Sequence, residues 1–126
     1  AETRYRVGGS GSGFLASKIR ERHGEAGEGH RPATDLRTGR LQTGKKARFE
    51  VSVEGGKCYV VLAAGVPSVR ELNLRVLDSF GNEVASDSTR DAFPAARACP
   101  SVGGRWTVEL DMFNGYGKYA VQVFAD

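Results

Sequence analysis

Two cysteines, Cys58 and Cys99, are the residues of this chain best placed to do covalent chemistry. Each falls where a short strand reads as starting or ending. Cys58 lies in the run Lys57-Cys58-Tyr59-Val60-Val61-Leu62, and Cys99 sits between Ala98 and Pro100. An even cysteine count in a small β protein suggests one disulfide and an oxidising compartment. Bridging them closes a loop of about forty residues, a constraint worth about 4 kcal/mol on a chain-entropy basis. The alternative is two separate buried thiols acting as small hydrophobes. There is no C-x-x-C spacing for a redox pair. Two cysteines and two distant histidines, His23 and His30, also lack the compact spacing of a structural zinc site.

Other chemistry-bearing patterns are weaker. Gly39-Arg40-Leu41-Gln42-Thr43-Gly44-Lys45-Lys46 nearly matches a phosphate-binding loop. The last position must be Ser or Thr to hold magnesium, and a helix must follow to aim its amides at the phosphates. Lys46 and an alternating strand stand there instead, so the segment reads as a basic turn. The histidines read as surface residues, and no Ser or Cys sits in a nucleophile-elbow context. Asp78, Glu83, Asp87, Asp91, Glu109 and Asp111 fall in turns or on polar strand faces. That placement suits solvation better than the paired carboxylates of a glycosidase. Calcium needs six to eight converging oxygens; two turns carrying Asp78, Asn82, Asp87 and Asp91 are the candidate ligands, and no other cofactor is implied. Among the aromatics, Trp106 shares parity with Val108 and Leu110 and reads as core. Tyr116, in a turn, and Tyr119 are candidate ligand contacts, because an exposed aromatic face suits a protein or carbohydrate partner. Tyr59 and Phe124 fall on a second apolar face, against a partner sheet or a helix.

The elements that must position these residues follow from patterning. The chain has 126 residues, a net charge of +3, 17 Gly and 4 Pro, which suits one turn-rich β domain. Its bases are interspersed with Glu and Asp, so a nucleic-acid surface is disfavoured. No run approaches the ~20 apolar residues of a membrane span. The chain starts at Ala1 without Met, which raises the expectation that a leader has been removed or the chain trimmed. Residues 1–13 end in a Gly/Ser stretch that reads as flexible coil. A helix is expected over Phe14–His23, with Ser12 as N-cap, an apolar face of Phe14, Leu15, Ile19 and His23, and Gly24 as its stop. Residues 25–38 read as an extended connection.

From there the period becomes two. Ala47, Phe49, Val51 and Val53 alternate with polar neighbours, as in a half-buried strand. Gly55-Gly56 is expected to turn the chain back into Cys58–Ala63 as its hairpin partner. Leu72, Leu74 and Val76 alternate next, then a turn at residues 78–82 and a strand over Glu83–Ser86. Phe93–Cys99 admits Pro94 only near an edge. Trp106, Val108, Leu110 and Met112 face one way, Asn114-Gly115 marks a hairpin turn, and Tyr119, Val121 and Val123 oppose Ala120, Gln122 and Phe124. Roughly seven or eight short strands with frequent turns point to a sandwich.

Residues 41–125 resemble a bacterial pre-peptidase C-terminal domain. The resemblance rests on ordered pieces. Ala47-Arg48-Phe49 leads into Glu54-Gly55-Gly56-Lys57-Cys58-Tyr59. The strand and turn from Glu71 to Ala85 are similar to the family's acidic strand and Gly-Asn turn. Pro100-Ser101-Val102-Gly103-Gly104-Arg105-Trp106-Thr107-Val108 has Trp where the family usually has Tyr. Gly115-Tyr116-Gly117-Lys118-Tyr119-Ala120-Val121-Gln122-Val123 is similar to the closing strand. The resemblance implies a jelly-roll-like sandwich on secreted or periplasmic bacterial proteins, accompanying exported enzymes and in some members binding collagen or polysaccharide. The acidic strand here carries Glu71 and Asn73 where relatives have two Asp.

The expected fold is therefore all-β, a two-sheet jelly-roll-like sandwich over residues 41–126. A flexible N-terminal extension, residues 1–40, carries one short helix near 14–23. The expected function is a non-catalytic, exported (periplasmic or secreted) accessory module that binds a protein or polysaccharide. The alternative is a structural domain of the bacterial envelope that packs on a partner subunit through its N-terminal helix.

Overall fold

The computed structural model describes residues 12–26 and 29–126, with the backbone alone at Ser12 and Ala26. One helix, α1 (Ser12–Ala26), precedes nine strands: β1 (Arg31–Pro32), β2 (Arg37–Leu41), β3 (Lys46–Val53), β4 (Tyr59–Gly65), β5 (Val69–Leu77), β6 (Glu83–Asp87), β7 (Ala95–Ala98), β8 (Gly104–Gly115) and β9 (Gly117–Ala125). They form two antiparallel sheets. In the first, β9 pairs with β4, β4 with β7, and both β1 and β2 pair with β9. The second runs β3-β8-β5-β6. The chain is an all-β two-sheet sandwich with an N-terminal helix.

The interior follows the alternation. Val51, Val53, Leu72, Leu74, Val76, Trp106, Val108, Leu110 and Met112 from the second sheet meet Tyr59, Val61, Ala63, Tyr119, Val121 and Val123 from the first. Each such side chain contributes about 1.5–3 kcal/mol by leaving water. β4 is buried along its whole length. Its consecutive apolar residues cannot serve one face only, so the strand must lie mid-sheet with cover on both sides.

That requirement corrects the expected hairpins. β4 does not pair with β3. Residues 54–58 carry the chain from the second sheet to the first, with Gly56 at φ +86°. The Asn114-Gly115 turn is likewise a corner between sheets, because β8 and β9 belong to different ones. Gly115 and Gly117 take φ of +106° and +128° there, conformations that cost a glycine little and other residues much. The hairpin at residues 78–82 does join paired strands, β5 and β6. β7, just after Pro94, is an edge strand.

Of the expected extension, residues 12–26 and 29–40 are described, and they pack on the sandwich. α1 is longer than the expected 14–23: Ser12 and Gly13 are already helical, and the helix continues through Gly24 to Ala26. Gly24 costs roughly 1 kcal/mol within a helix. Contacts around it compensate, since Arg22 and Glu25 pair at 3.1 Å and the His23 ring stacks on Phe124 at 4.5 Å. The rest of the Gly/Ser stretch, and the side chain of the N-cap candidate Ser12, lie outside the described residues. Leu15 and Ile19 are fully buried against Val60, Leu62, Ala64, Ala120 and Phe124 on the outer face of the first sheet. The expected extended connection supplies β1 and β2, which complete that sheet along β9. The near-phosphate-loop segment is β2, a turn and β3, with no helix after it.

Candidate functional site

At one end of the sandwich the chain reverses through residues 54–58, 78–82 and 99–103. The tip at 78–82 is tied throughout. Asp78 Oδ1 accepts the backbone N–H groups of Phe80 and Asn82, each at 2.9 Å. The Asp78 carbonyl accepts from Gly81 at 3.0 Å, and Gly81 takes φ +85°. Ser79 Oγ donates to the Arg105 carbonyl at 3.0 Å and accepts the Arg105 N–H at 3.2 Å. Yet the Phe80 ring, in the middle of this fixed turn, is 88% exposed.

The neighbouring loop is built the same way. Cys58 and Cys99 form the disulfide across a separation of 41 residues. The Pro100 carbonyl accepts the Gly56 N–H at 2.9 Å. A side chain at Gly55 would meet the Ser101 carbonyl oxygen at 2.5 Å, so the two loops touch backbone to backbone. Val102 crowns this loop and is 75% exposed. Between the tips lies an open groove of about 540 Å³, lined by Phe80, Val84, Arg97, Val102 and Cys99 of the disulfide, with Trp106 beneath. Trp106 is buried, as its parity implied, and meets Tyr59 edge-on at 5.6 Å.

The four candidate calcium ligands do not converge. Asp78 is spent on its own turn. Asp87 accepts from the backbone and hydroxyl of Thr89 through Oδ1 and from Ala95 N–H through Oδ2. Asp91 accepts from Phe93 N–H at 2.9 Å. Asn82 contributes backbone groups to the turn. Among the described residues no three His, Cys, Asp or Glu side chains gather as metal ligands. Burial opposes charge on Asp87. Its bonds from the Thr89 hydroxyl and from the Ala95 and Thr89 amides, with the field of Arg22, outweigh that and hold its carboxyl below the ordinary value.

The two tyrosines part company at the other end. Tyr119 points inward, is 5% exposed, and stands 6.3 Å from Phe49. Gly39 leaves room for its ring, since a Cβ there would lie 2.4 Å from the hydroxyl. Burial raises its phenol pKa. It is a core residue and cannot meet a ligand at the surface. Tyr116 is exposed.

The histidines are not the surface pair expected. His23 is half-buried and His30 buried, and His23 Nε2 lies 2.8 Å from the His30 carbonyl oxygen. Together they anchor α1. On the outer face of the second sheet, Glu109 is only 2% exposed. Arg48 Nη2 reaches its Oε2 at 2.8 Å, and Arg75 Nε its Oε1 at 3.0 Å. Burial disfavours its charge, but the bonds and charges of Arg75 and Arg48 prevail and keep its carboxyl below the ordinary range. A carboxylate so held serves structure and is a poor general acid.

Sequence reasoning missed Phe80 and Val102 as a site, though a signal existed. An aromatic in the centre of Asp78-Ser79-Phe80-Gly81-Asn82 is out of place in a turn, where polar residues and glycine dominate.

Known structures share the two-sheet sandwich. No known protein family's sequence profile matches the chain, and no curated protein sequence does. Among solved structures, the chain superposes on Aeromonas hydrophila PliG, a periplasmic lysozyme inhibitor of g-type lysozyme. The TM-score is 0.58 and the identity 10%, over 79% of this chain and 90% of PliG. At that identity the likeness is one of fold. Two larger proteins match more loosely. The MgGH51 α-L-arabinofuranosidase gives a TM-score of 0.36 at 11% identity, over 78% of this chain and 23% of that one. The enzymatically active domain of bacteriophage CBA120 tailspike protein 4 gives 0.35 at 16%, over 71% and 17%. Neither bears on function here.

Proposed function

We propose that this chain is a non-catalytic, exported binding module that docks a protein partner at the Phe80–Val102 end. The observation that carries the reading is the pairing of exposure with order. Phe80 and Val102 are large apolar side chains held in water by loops whose backbones are tied by hydrogen bonds and a disulfide. Anchors of this kind bind without a large ordering penalty, which is the advantage of preorganisation. The groove offers apolar surface, a guanidinium and backbone groups. Its carboxylate is committed to a turn, which favours recognition over catalysis.

The disulfide supports export. The shared fold with a periplasmic lysozyme inhibitor supports a protein as the partner class, by analogy of fold. The reading also accommodates the resemblance to pre-peptidase C-terminal domains, which imply accessory modules. The envelope-assembly alternative is not favoured, because most of the apolar face of α1 is used within the molecule: Leu15 and Ile19 are fully buried and Phe14 alone stays exposed. The experiment is to add the purified, oxidised protein to a g-type lysozyme clearing a peptidoglycan suspension. Inhibition that saturates with dose supports an inhibitor-type module. Undiminished clearing at large molar excess removes the lysozyme class from the proposal.

A further inference from the structure

An open sheet presents unpaired backbone groups at its edges, and here one edge differs from the rest in length and regularity. β3 ends the second sheet and pairs only with β8, over eight residues in unbroken register. The other edges are shorter or closed. β1 has two residues and β2 five. β6 has five, with a register shift against β5. β7 has four, and its Ala95 N–H is taken by Asp87 Oδ2 at 2.9 Å. The phase of the β3 ladder follows from the Lys45 carbonyl, which accepts the Met112 N–H at 3.0 Å. Ala47, Phe49 and Val51 therefore turn their backbone groups toward β8, whereas Lys46, Arg48, Glu50 and Ser52 turn theirs outward along the edge. Among the described residues no hydrogen bond reaches those outward groups. β3 also lacks the proline, the bulge and the inward-pointing charge that commonly blunt an edge.

The side chains of β3 specify what completes it. On the outer face, Arg75, Glu109 and Arg48 stand side by side across β5, β8 and β3, a row of alternating charge that stops at the edge on Arg48. On the inner face Phe49 is only half-buried and Ala47 packs at the margin of the core, so the interior is left partly open along this strand. An antiparallel copy of β3 must set outward-turned residues against outward-turned residues. A two-fold centred on Glu50 opposes Glu50 to itself, and one centred on Arg48 opposes Arg48 to itself, both like-charge pairs. Centred on Phe49, the two-fold places Arg48 opposite Glu50 of the second copy and Lys46 opposite its Ser52. The alternating row then gains its next anion, twice by symmetry, and the two Phe49 rings meet over the open margin of each core.

We propose that β3 is a dimerisation edge, pairing antiparallel with β3 of a second copy about a two-fold at Phe49 and joining the two second sheets into one continuous sheet. The edge is separate from the Phe80–Val102 site, none of whose residues lies in β3. Sedimentation equilibrium of the native chain, up to about 1 mM, shows a monomer–dimer equilibrium. Glu50→Lys puts a cation opposite Arg48 and weakens the dimer about tenfold or more. Within one chain it removes only the exposed pair with Arg105, so the fold survives. Cross-linking reads the register. Residues exchanging both hydrogen bonds stand about 5.5 Å apart at Cα, within reach of a disulfide. The double variant Lys46→Cys, Ser52→Cys, at two exposed positions, therefore oxidises to a covalent dimer, and neither single variant does. Native circular dichroism of each variant keeps lost association from being mistaken for unfolding. Four results overturn the proposal. They are a native chain that is monomeric throughout, a dimer that Glu50→Lys leaves intact, single-cysteine variants that cross-link as readily as the double one, or a monomer whose β3 pairs instead with an extended peptide of another protein.

Discussion

Leu15 and Phe80 are both large apolar side chains outside the inter-sheet core, and the molecule treats them oppositely. Leu15 lies on a short helix that could not persist alone. Its burial with Ile19 against Val60, Leu62 and Phe124 joins helix and sheet into one body. Phe80 lies on a turn that is already complete without its ring, because Asp78 and Ser79 satisfy the backbone. The ring adds nothing to the fold and stays in water. Apolar surface that secures the architecture is covered from within. Apolar surface that architecture holds up uncovered is available to something else.

Perturbations should separate the two kinds of region. The largest effect is expected from the double variant Cys58→Ser, Cys99→Ser. Opening a loop of 41 residues removes about 4 kcal/mol of stability and also loosens the Val102 tip, so stability and binding fall together. Urea titration of the two forms reads the first, and partner titration the second. Next, Leu15→Ala leaves a cavity under α1 and costs about 3 kcal/mol. Hydrogen exchange rises across residues 12–26 while the Phe80 end binds as before. Loss of binding there would show that the helix and the loop end are not independent.

Smaller is the effect of Glu109→Gln, about 2 kcal/mol, because two arginines lose their shared carboxylate. The same group sets the acid response. Glu109 and Asp87 both titrate below their ordinary values of 4.5 and 3.8. Their contribution is thus intact above those values and is lost as pH falls through the lower folded-state ones. Urea midpoints should be level from about pH 7 to pH 5 and fall below about pH 4, less steeply in Glu109→Gln. Parallel acid curves for the two proteins would contradict this assignment.

Much of this was legible in residue types. Alternation in β3, β5, β8 and β9 identified their inward sets, and the parity of Trp106 placed it in the core. The cysteine pair is bridged as its count suggested. The sheet to which each strand belongs was not legible, because Gly55-Gly56 and Asn114-Gly115 signal a reversal without saying whether it returns along the same sheet or crosses to the other. The unbroken apolar run Val60–Ala64 signals a strand covered on both faces, whereas β3 is covered on one. β2, with Arg37, Thr38, Gly39 and Arg40, shows no alternation. Only its pairing with β9 makes it a strand. The carboxylates proposed for calcium are turn acceptors, a role that Asp in loops fills far more often than its spacing can reveal. Tyr119 shares parity with Val121 and Val123, so its burial was in the pattern. Phe80 was hidden because residues 78–82 read so clearly as a turn that the oddity of its aromatic went unweighed.

The central claim is that an exposed, ordered apolar pair at one loop end meets a protein. Calorimetric titration of the double variant Phe80→Ala, Val102→Ala into g-type lysozyme, beside the native chain, tests it most directly. The account predicts binding by the native chain and a loss of about tenfold or more in the variant, with stability within about 0.5 kcal/mol of the original. Equal affinity in both would contradict it, and no heat of binding from either would remove g-type lysozyme as the partner.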